Sequence, residues 1–250
     1  MDISRQLECG TRYFDIRLEL KSNRLKLVHS VIDCRRTAAP GKLYFDEVLD
    51  CVTSFLQANP TETVLLCVNR DDGPSAQETF DAFYRTYIKP KPGLWFTANR
   101  IPLLKEAAGK IVLLRRADIY GDKQYNPSCA GLDMSSAFDH PQQAGKAPCS
   151  YAVKSSSDGF YTAVQDSFNV PPHVKWNDCV LPALTGARAD SNTLLINFLS
   201  ANNGFNSPKK TARYVNTRFA AYPLNKGEHY GITVFDYINA ALAKKIIECN

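Results

Sequence analysis

Apolar residues fall along this chain in two alternating rhythms. Short β-branched or leucine-rich runs predict buried strands: RYFDIRLEL (12–20), TVLLCVNR (63–70), KIVLLRR (110–116), YTAVQDSF (161–168), TLLINFLS (193–200) and GITVFDYI (231–238). Between them the period becomes that of a helix. Over 43–58, Phe45, Val48, Leu49, Val52, Phe55 and Leu56 keep the i, i+3, i+4, i+7 spacing, and Asn59-Pro60 ends the run. Residues 75–88, 173–187, 208–221 and 238–248 predict further helices, with starts marked near Ser75 and near Ser207-Pro208. Strand and helix alternating this often predict a parallel sheet, either a β/α barrel or an open doubly wound sheet. The stretch 118–158, rich in Gly, Pro, Ser and Asp, predicts a long loop region. No internal repeat or domain boundary interrupts the pattern, so 1–250 is expected to form a single domain.

Composition narrows this only a little. At 250 residues, 44% hydrophobic and 22% charged, the chain can bury a sizeable core. A net charge of +5, with basic residues scattered rather than clustered, gives no support for a nucleic-acid partner. It is compatible with an anionic surface or a phosphate substrate. Eight cysteines include no CxxC pair, which removes zinc-ribbon and thioredoxin-like readings. Cys51 and Cys67 sit in apolar runs and read as buried thiols. Cys34, Cys129, Cys149 and Cys249 lie in polar or terminal segments, where disulfides would suit a secreted protein. No signal peptide opens the chain, because MDISRQLECG lacks an apolar stretch. No run approaches the length of a membrane span.

Chemistry in parallel α/β folds collects at the C-terminal ends of strands. Polar residues recur there: Asp15 and Arg17, Asn69 to Asp72, Arg115 and Arg116, Asp166, Asn197 and Asp236. In the period-2 pattern Tyr13, Asp15, Arg17 and Glu19 share one strand face, so Asp15 can hold Arg17 in place. Asp236, in ITVFDY, reads alternatively as the cap of the following helix. His29, taken alone, reads as a loop histidine. Trp95, Phe96 and Trp176 read equally as interfacial or core side chains.

Read in order, QLECGTRYFDIRLE, LVHS, VTSFLQANPTETVLLCVN, PLLKEAAGKIVLLRR, YTAVQDSF, LLINFLSANN and GITVFDYI resemble the catalytic X domain of phosphatidylinositol-specific phospholipase C, in its small bacterial and fungal form. The resemblance spans residues 6 to 248. It implies an α/β fold, a distorted (β/α) barrel of the TIM type. It also implies cleavage of phosphatidylinositol or glycosylated inositol lipids, in which the inositol 2-hydroxyl attacks its own phosphodiester. Diacylglycerol leaves and an inositol cyclic phosphate forms. Carried across position by position, His29 is the general acid, Arg17 the phosphate-binding cation, Asp15 its partner, and Asp236 the carboxylate orienting a general-base histidine. Asp166 and Phe168 match an inositol-binding acid and the aromatic under the sugar ring. An arginine at position 17 implies a metal-independent member with no cofactor, acting as a monomer on an inositol phospholipid headgroup through transient membrane contact. Secretion is compatible with the family and the cysteine content.

The pattern also departs from the family's. Asn69 and Arg70 stand where a lysine or acid is usual, and Ala108 stands where an arginine often precedes GKIVLL. Arg70 and Arg115 are the expected substitutes as substrate contacts. The family also carries a Gly-Thr-His-Asp or Gly-Thr-His-Asn segment well before the RYFDIR strand. None precedes it here, so the expectation is a barrel incomplete at its N-terminus, lacking its base histidine and with little or no turnover. The alternative is a catalytically dead member that binds inositol phospholipids. A glycerophosphodiesterase-like reading fails for want of the paired His and acidic metal set.

Overall fold

The alternation in RYFDIRLEL becomes strand β1 (Tyr13–Lys21), and its two faces lead to different surroundings. Phe14, Ile16 and Leu18 enter an apolar core, while Tyr13, Asp15 and Arg17 form the opposite, less buried face. This separation is what a period of two produces when only one face has helices to pack against. The computed structural model describes residues 1–250 except 31, 38, 117–129, 136, 139–151, 156–158, 187–189, 191 and 250. The chain divides into two units, Met1–Ser135 and Ser136–Asn250.

In the first unit α1 (Ile3–Glu8) and β1 are followed by β2 (Arg24–His29), β3 (Ile32–Asp33), α2 (Phe45–Ala58), β4 (Val64–Asp72) and α3 (Ala76–Phe83). Next come β5 (Trp95–Phe96), α4 (Leu104–Ala107), β6 (Ile111–Arg115) and β7 (Leu132–Asp133). The sheet order is β3-β2-β1-β4-β6-β5, with β7 also on β6. β1, β4 and β6 run parallel, and β2 returns antiparallel beside β1. Leu66, Val68, Ile111 and Leu113 join the core face, which α2 covers with Phe45, Val48, Leu49 and Val52. Ser75 caps α3 by accepting from Glu78 N (3.2 Å), and the Glu78 carboxylate accepts from Ser75 N (3.0 Å). A π-helical turn at Tyr84–Ile88 continues α3 to the end expected for the 75–88 helix.

The second unit holds β8 (Ala152–Ser155), β9 (Tyr161–Gln165), α5 (Pro172–Val174), a π-helical segment (Lys175–Val180), α6 (Leu181–Gly186) and β10 (Thr193–Phe198). It ends with α7 (Pro208–Ala221), β11 (Ile232–Val234) and α8 (Ala240–Ile247). The order is β11-β10-β9-β8, with β9, β10 and β11 parallel and β8 antiparallel at the edge. Trp176, Val180, Leu184, Val215, Phe219 and Leu242 form the core of its helical layer.

Several expectations are corrected here. Trp95, Phe96 and Trp176 are 4%, 8% and 8% exposed, so all are core side chains rather than interfacial ones. The Trp95 indole donates to Tyr87 O (3.0 Å), which satisfies its one polar group inside. Cys34 and Cys249 are free thiols, as are Cys51 and Cys67, and Cys179 is in a disulfide. Cys129, Cys149 and His140 lie outside the described residues. β7 and β8 occupy part of the stretch expected to be loop. His173 and His229 are exposed.

Candidate active-site residues

Parallel pairing sets Asp15 beside Cys67 and Arg17 beside Asn69, and Cys67 beside Leu114 of β6. The polar face of β1 therefore continues across the C-terminal ends of β4 and β6. Arg17 Nη2 meets Asp15 Oδ2 at 3.1 Å, and Arg17 Nη1 meets Asp71 Oδ2 at 3.5 Å. Arg116, one residue past β6, brings Nη1 to 3.7 Å from Asp15 Oδ1. These side chains are between 11% and 26% exposed, Arg17 the most and Asp71 the least. Two arginines and two aspartates thus alternate in a partly desolvated cluster, where charge-assisted contacts are stronger than on open surface.

Beneath the cluster lie two neutral groups. Burial, then the nearness of Cys67 and Asp15, raises the Tyr13 phenol well above its ordinary value. Burial, then Asp15, pushes the Cys67 thiol up to about 12. Neither carries charge near neutral pH, so the field at this strand end is set by the arginines and carboxylates. A thiol held this high is a poor nucleophile. The arrangement fits recognition of an anion by a braced guanidinium and not thiolate chemistry.

His29 ends β2 on an exposed hairpin, where it pairs with Ile32 of β3. The next residue, Ser30, adopts a left-handed backbone (φ 52°) and donates its N–H to Asp71 Oδ2 at 2.9 Å. Asp71 therefore ties the His29 hairpin to Arg17. Deeper along the hairpin, the buried Lys26 is ion-paired to Glu19 (2.6 Å) and to Asp33, fixing β2 against β1 and β3.

The structure does not put every expected contact on this face. Arg115 precedes Arg116 by one residue and so points the other way, as strand alternation requires. It is buried, pairs with Asp133 (3.0 Å) and lies over the Phe80 ring of α3. Arg116 takes the place expected for it. Arg70 is paired with Leu18, a core-face residue, and donates to Gly73 O (3.2 Å), away from Arg17. Asp71 is a cluster member that strand-end reasoning grouped with its neighbours without singling out.

In the second unit Asp166 follows β9 and is 6% exposed, whereas Phe168 two residues on is 51% exposed. Asp236 follows β11 at the same end of the parallel sheet, with its backbone oxygen accepting from Asn216 Nδ2 of α7 (3.0 Å). The capping alternative for Asp236 does not hold: Asn239 caps α8 by accepting from Leu242 N (3.0 Å). Tyr237 takes a left-handed backbone (φ 56°) and is 62% exposed.

No family model matches the chain. A curated relative, the 1-phosphatidylinositol phosphodiesterase of Listeria monocytogenes, is 27% identical over all of this chain and 71% of its own length. That of Staphylococcus aureus strain Newman is 29% identical over 94% of this chain and 74% of its own length. Among solved structures, a phosphatidylinositol-specific phospholipase C of S. aureus superposes with a TM-score of 0.75 at 22% identity, covering all of this chain and 83% of that one. The enzyme of that name from L. monocytogenes gives 0.71. The fold class is therefore the α/β, TIM-barrel-type one expected from the motifs. Over nearly its full length the chain is similar in sequence to bacterial 1-phosphatidylinositol phosphodiesterases.

Proposed function

We propose that this chain cleaves phosphatidylinositol, or glycosylated inositol lipids, to diacylglycerol and an inositol cyclic phosphate. The observation that carries the reading is the Asp15–Arg17–Asp71–Arg116 cluster at the ends of β1, β4 and β6. Intramolecular attack on a phosphodiester concentrates charge on the phosphoryl oxygens, and a pre-placed guanidinium stabilises it without reorganising. Arg17 serves that role, with Asp15 and Asp71 fixing its fork. His29 protonates the departing glycerol oxygen as the general acid. Asp166 and Phe168 hold the inositol ring, by hydrogen bonding and by ring contact. Asp236 stands where the resemblance puts the carboxylate that orients a general-base histidine. None of the four histidines of this sequence matches that base, so the 2-hydroxyl proton must pass to an acceptor outside the residues named here.

The reading also includes transient contact with a membrane, since the headgroup must be reached in a bilayer. It needs no metal: the cation is a side chain. The test is to incubate the full chain with phosphatidylinositol vesicles and follow the phosphorus signal of the cyclic inositol phosphate. Little product is expected from the chain by itself, for want of a matching base histidine, and what forms should be undiminished by a chelator of divalent cations. Product lost on chelation would remove Arg17 from the central role. Binding to the vesicles without any product would select the lipid-binding alternative instead.

A further inference from the structure

Lys175 is the most completely buried charged side chain described in the second unit, at 0% exposure, and none of the roles above uses it. It opens the π-helical segment that follows α5, and its Nζ donates to Gln165 Oε1 and to Ser167 O, both at 2.9 Å. Those two acceptors lie on either side of Asp166. The Gln165 amide in turn donates to Asn197 Oδ1 (2.7 Å) and Phe198 O (2.8 Å) on β10, while its oxygen accepts from Ser167 N (2.9 Å). The ends of β9 and β10 are thus laced together around one ammonium. The carboxylates of Asp166 and Asp236 both act on the Lys175 charge. A buried ammonium costs stability that an apolar side chain of similar length would not. The compensation here is spent on the backbone and neighbours of one residue.

We infer that Lys175 is a positioning residue for Asp166, holding the turn Gln165–Ser167 so that this carboxylate meets ring hydroxyls of an inositol ligand. The inference rests on the reading of Asp166 as an inositol contact. Fixing both flanks of a short turn leaves its middle residue little freedom, and a polyol subsite requires its acceptor to be fixed to a fraction of an ångström. Nothing covalent changes; the lysine acts through geometry and charge.

The test measures binding of myo-inositol 1-phosphate to the full chain by calorimetry, with the folded fraction checked by circular dichroism. Asp166→Asn and Lys175→Met are each expected to weaken binding about tenfold or more, the range for a lost hydrogen bond to a charged group. The double variant is expected to bind no more weakly than Asp166→Asn alone, because both changes remove one interaction. Lys175→Gln, which keeps a donor, covers the case in which the methionine variant does not fold, and is expected to bind between the two. In the parent, the Lys175 ammonium resonance should shift when the ligand is added, and in Asp166→Asn it should not. Lys175 variants binding within about twofold of the parent while Asp166→Asn binds poorly would overturn the positioning role, as would an unmoved ammonium resonance at saturation. Unchanged binding by Asp166→Asn would instead overturn the reading of the subsite itself, and the inference with it.

Discussion

At the scale of single residues, the argument turns on which charges are braced and by what. Arg17 is held by Asp15 at 3.1 Å and by Asp71 at 3.5 Å, so its fork is fixed before any substrate arrives. In a version of the protein that carries the base histidine, Arg17→Ala is expected to slow cyclic phosphate formation by about 10²–10³, the usual cost of removing one pre-placed contact to a developing oxyanion. Initial rates at matched folded fraction would check this, and a rate within about threefold of the parent would make Arg17 structural. The Asp15–Arg17 pair was legible from the period of two alone. Arg116 was not separable from Arg115, since a doublet at a strand end has no parity until the strand's last residue is known. Lys175 also left a signal: it sits four residues before Cys179 on the stripe that buries Trp176 and Val180. A lysine there must be satisfied internally. Burial lowers its pKa from 10.5 to about 7, against the pull of Asp166 and Asp236. Across that interval the unfolded chain binds a proton that the folded chain does not, so stability rises with pH. The stability of the parent minus that of Lys175→Met should therefore grow between pH 7 and about 10 in urea titrations. Tyr13 and Cys67, raised by burial, oppose the trend but equally in both proteins, and a flat difference would place Lys175 outside this account.

At the scale of elements, the helices were readable where an apolar stripe and a cap coincided. The run 43–58 became α2 (Phe45–Ala58), and 208–221 became α7 with Ser207 as its cap. The 75–88 and 173–187 runs each contain a π-helical segment that the apolar spacing does not distinguish from an α-helix. β2 and β3 were invisible for a different reason. RLKLVH is short and carries Lys26 at a buried position, made tolerable by Glu19 on β1 and Asp33 on β3, whose pairing beside it the spacing of apolar residues does not reveal. Core and cap should therefore respond differently to mutation. Phe45 is 0% exposed and meets the rings of Phe83 and Tyr87 at 5.0 and 4.9 Å. Phe45→Ala should cost about 3–5 kcal/mol through lost burial and the cavity left behind. Ser75→Ala removes one side of an exposed capping box and should cost about 1 kcal/mol. Equal losses from the two in denaturant titrations would contradict the view that α2, rather than the start of α3, anchors the first unit.

At the scale of the whole molecule, the parallel pairing of the main strands and the chain-long order of motifs were readable, because both depend on sequence spacing rather than on side-chain detail. The sheet order, with antiparallel β2, β3 and β8, was not. Contact with a lipid surface was not, since the aromatic residues prominent in the sequence, Trp95, Phe96 and Trp176, turned out to be core. No helix among the described residues is long and apolar enough to cross a membrane. Among the described residues the exposed aromatics lie in the second unit: besides Tyr161, at the start of β9 and 45% exposed, they are Phe168, Phe205 and Tyr237, which are 51%, 93% and 62% exposed. They follow β9, β10 and β11, which run parallel, so all three belong to the strand-end loops that also carry Asp166 and Asp236. Phe205 is the most exposed of them and has the most apolar surface to bury on contact with lipid. Burying an aromatic side chain fully stabilises by about 1.5–3 kcal/mol, and partial insertion at a headgroup boundary gives less. Phe205→Ser should therefore weaken partition onto phosphatidylinositol-containing vesicles about fivefold to tenfold. Because the formal charge is +5, partition of both proteins should also fall with added salt. Cleavage of a soluble inositol phosphodiester should be unchanged by the substitution, since Phe205 is 93% exposed and is not a member of the Lys175 hydrogen-bond network. Sedimentation of vesicles with bound protein, run beside the soluble assay, separates the two effects. Unaltered partition of Phe205→Ser would move the membrane contact elsewhere, and a matching loss on the soluble substrate would mean that the loop supports the site rather than the surface.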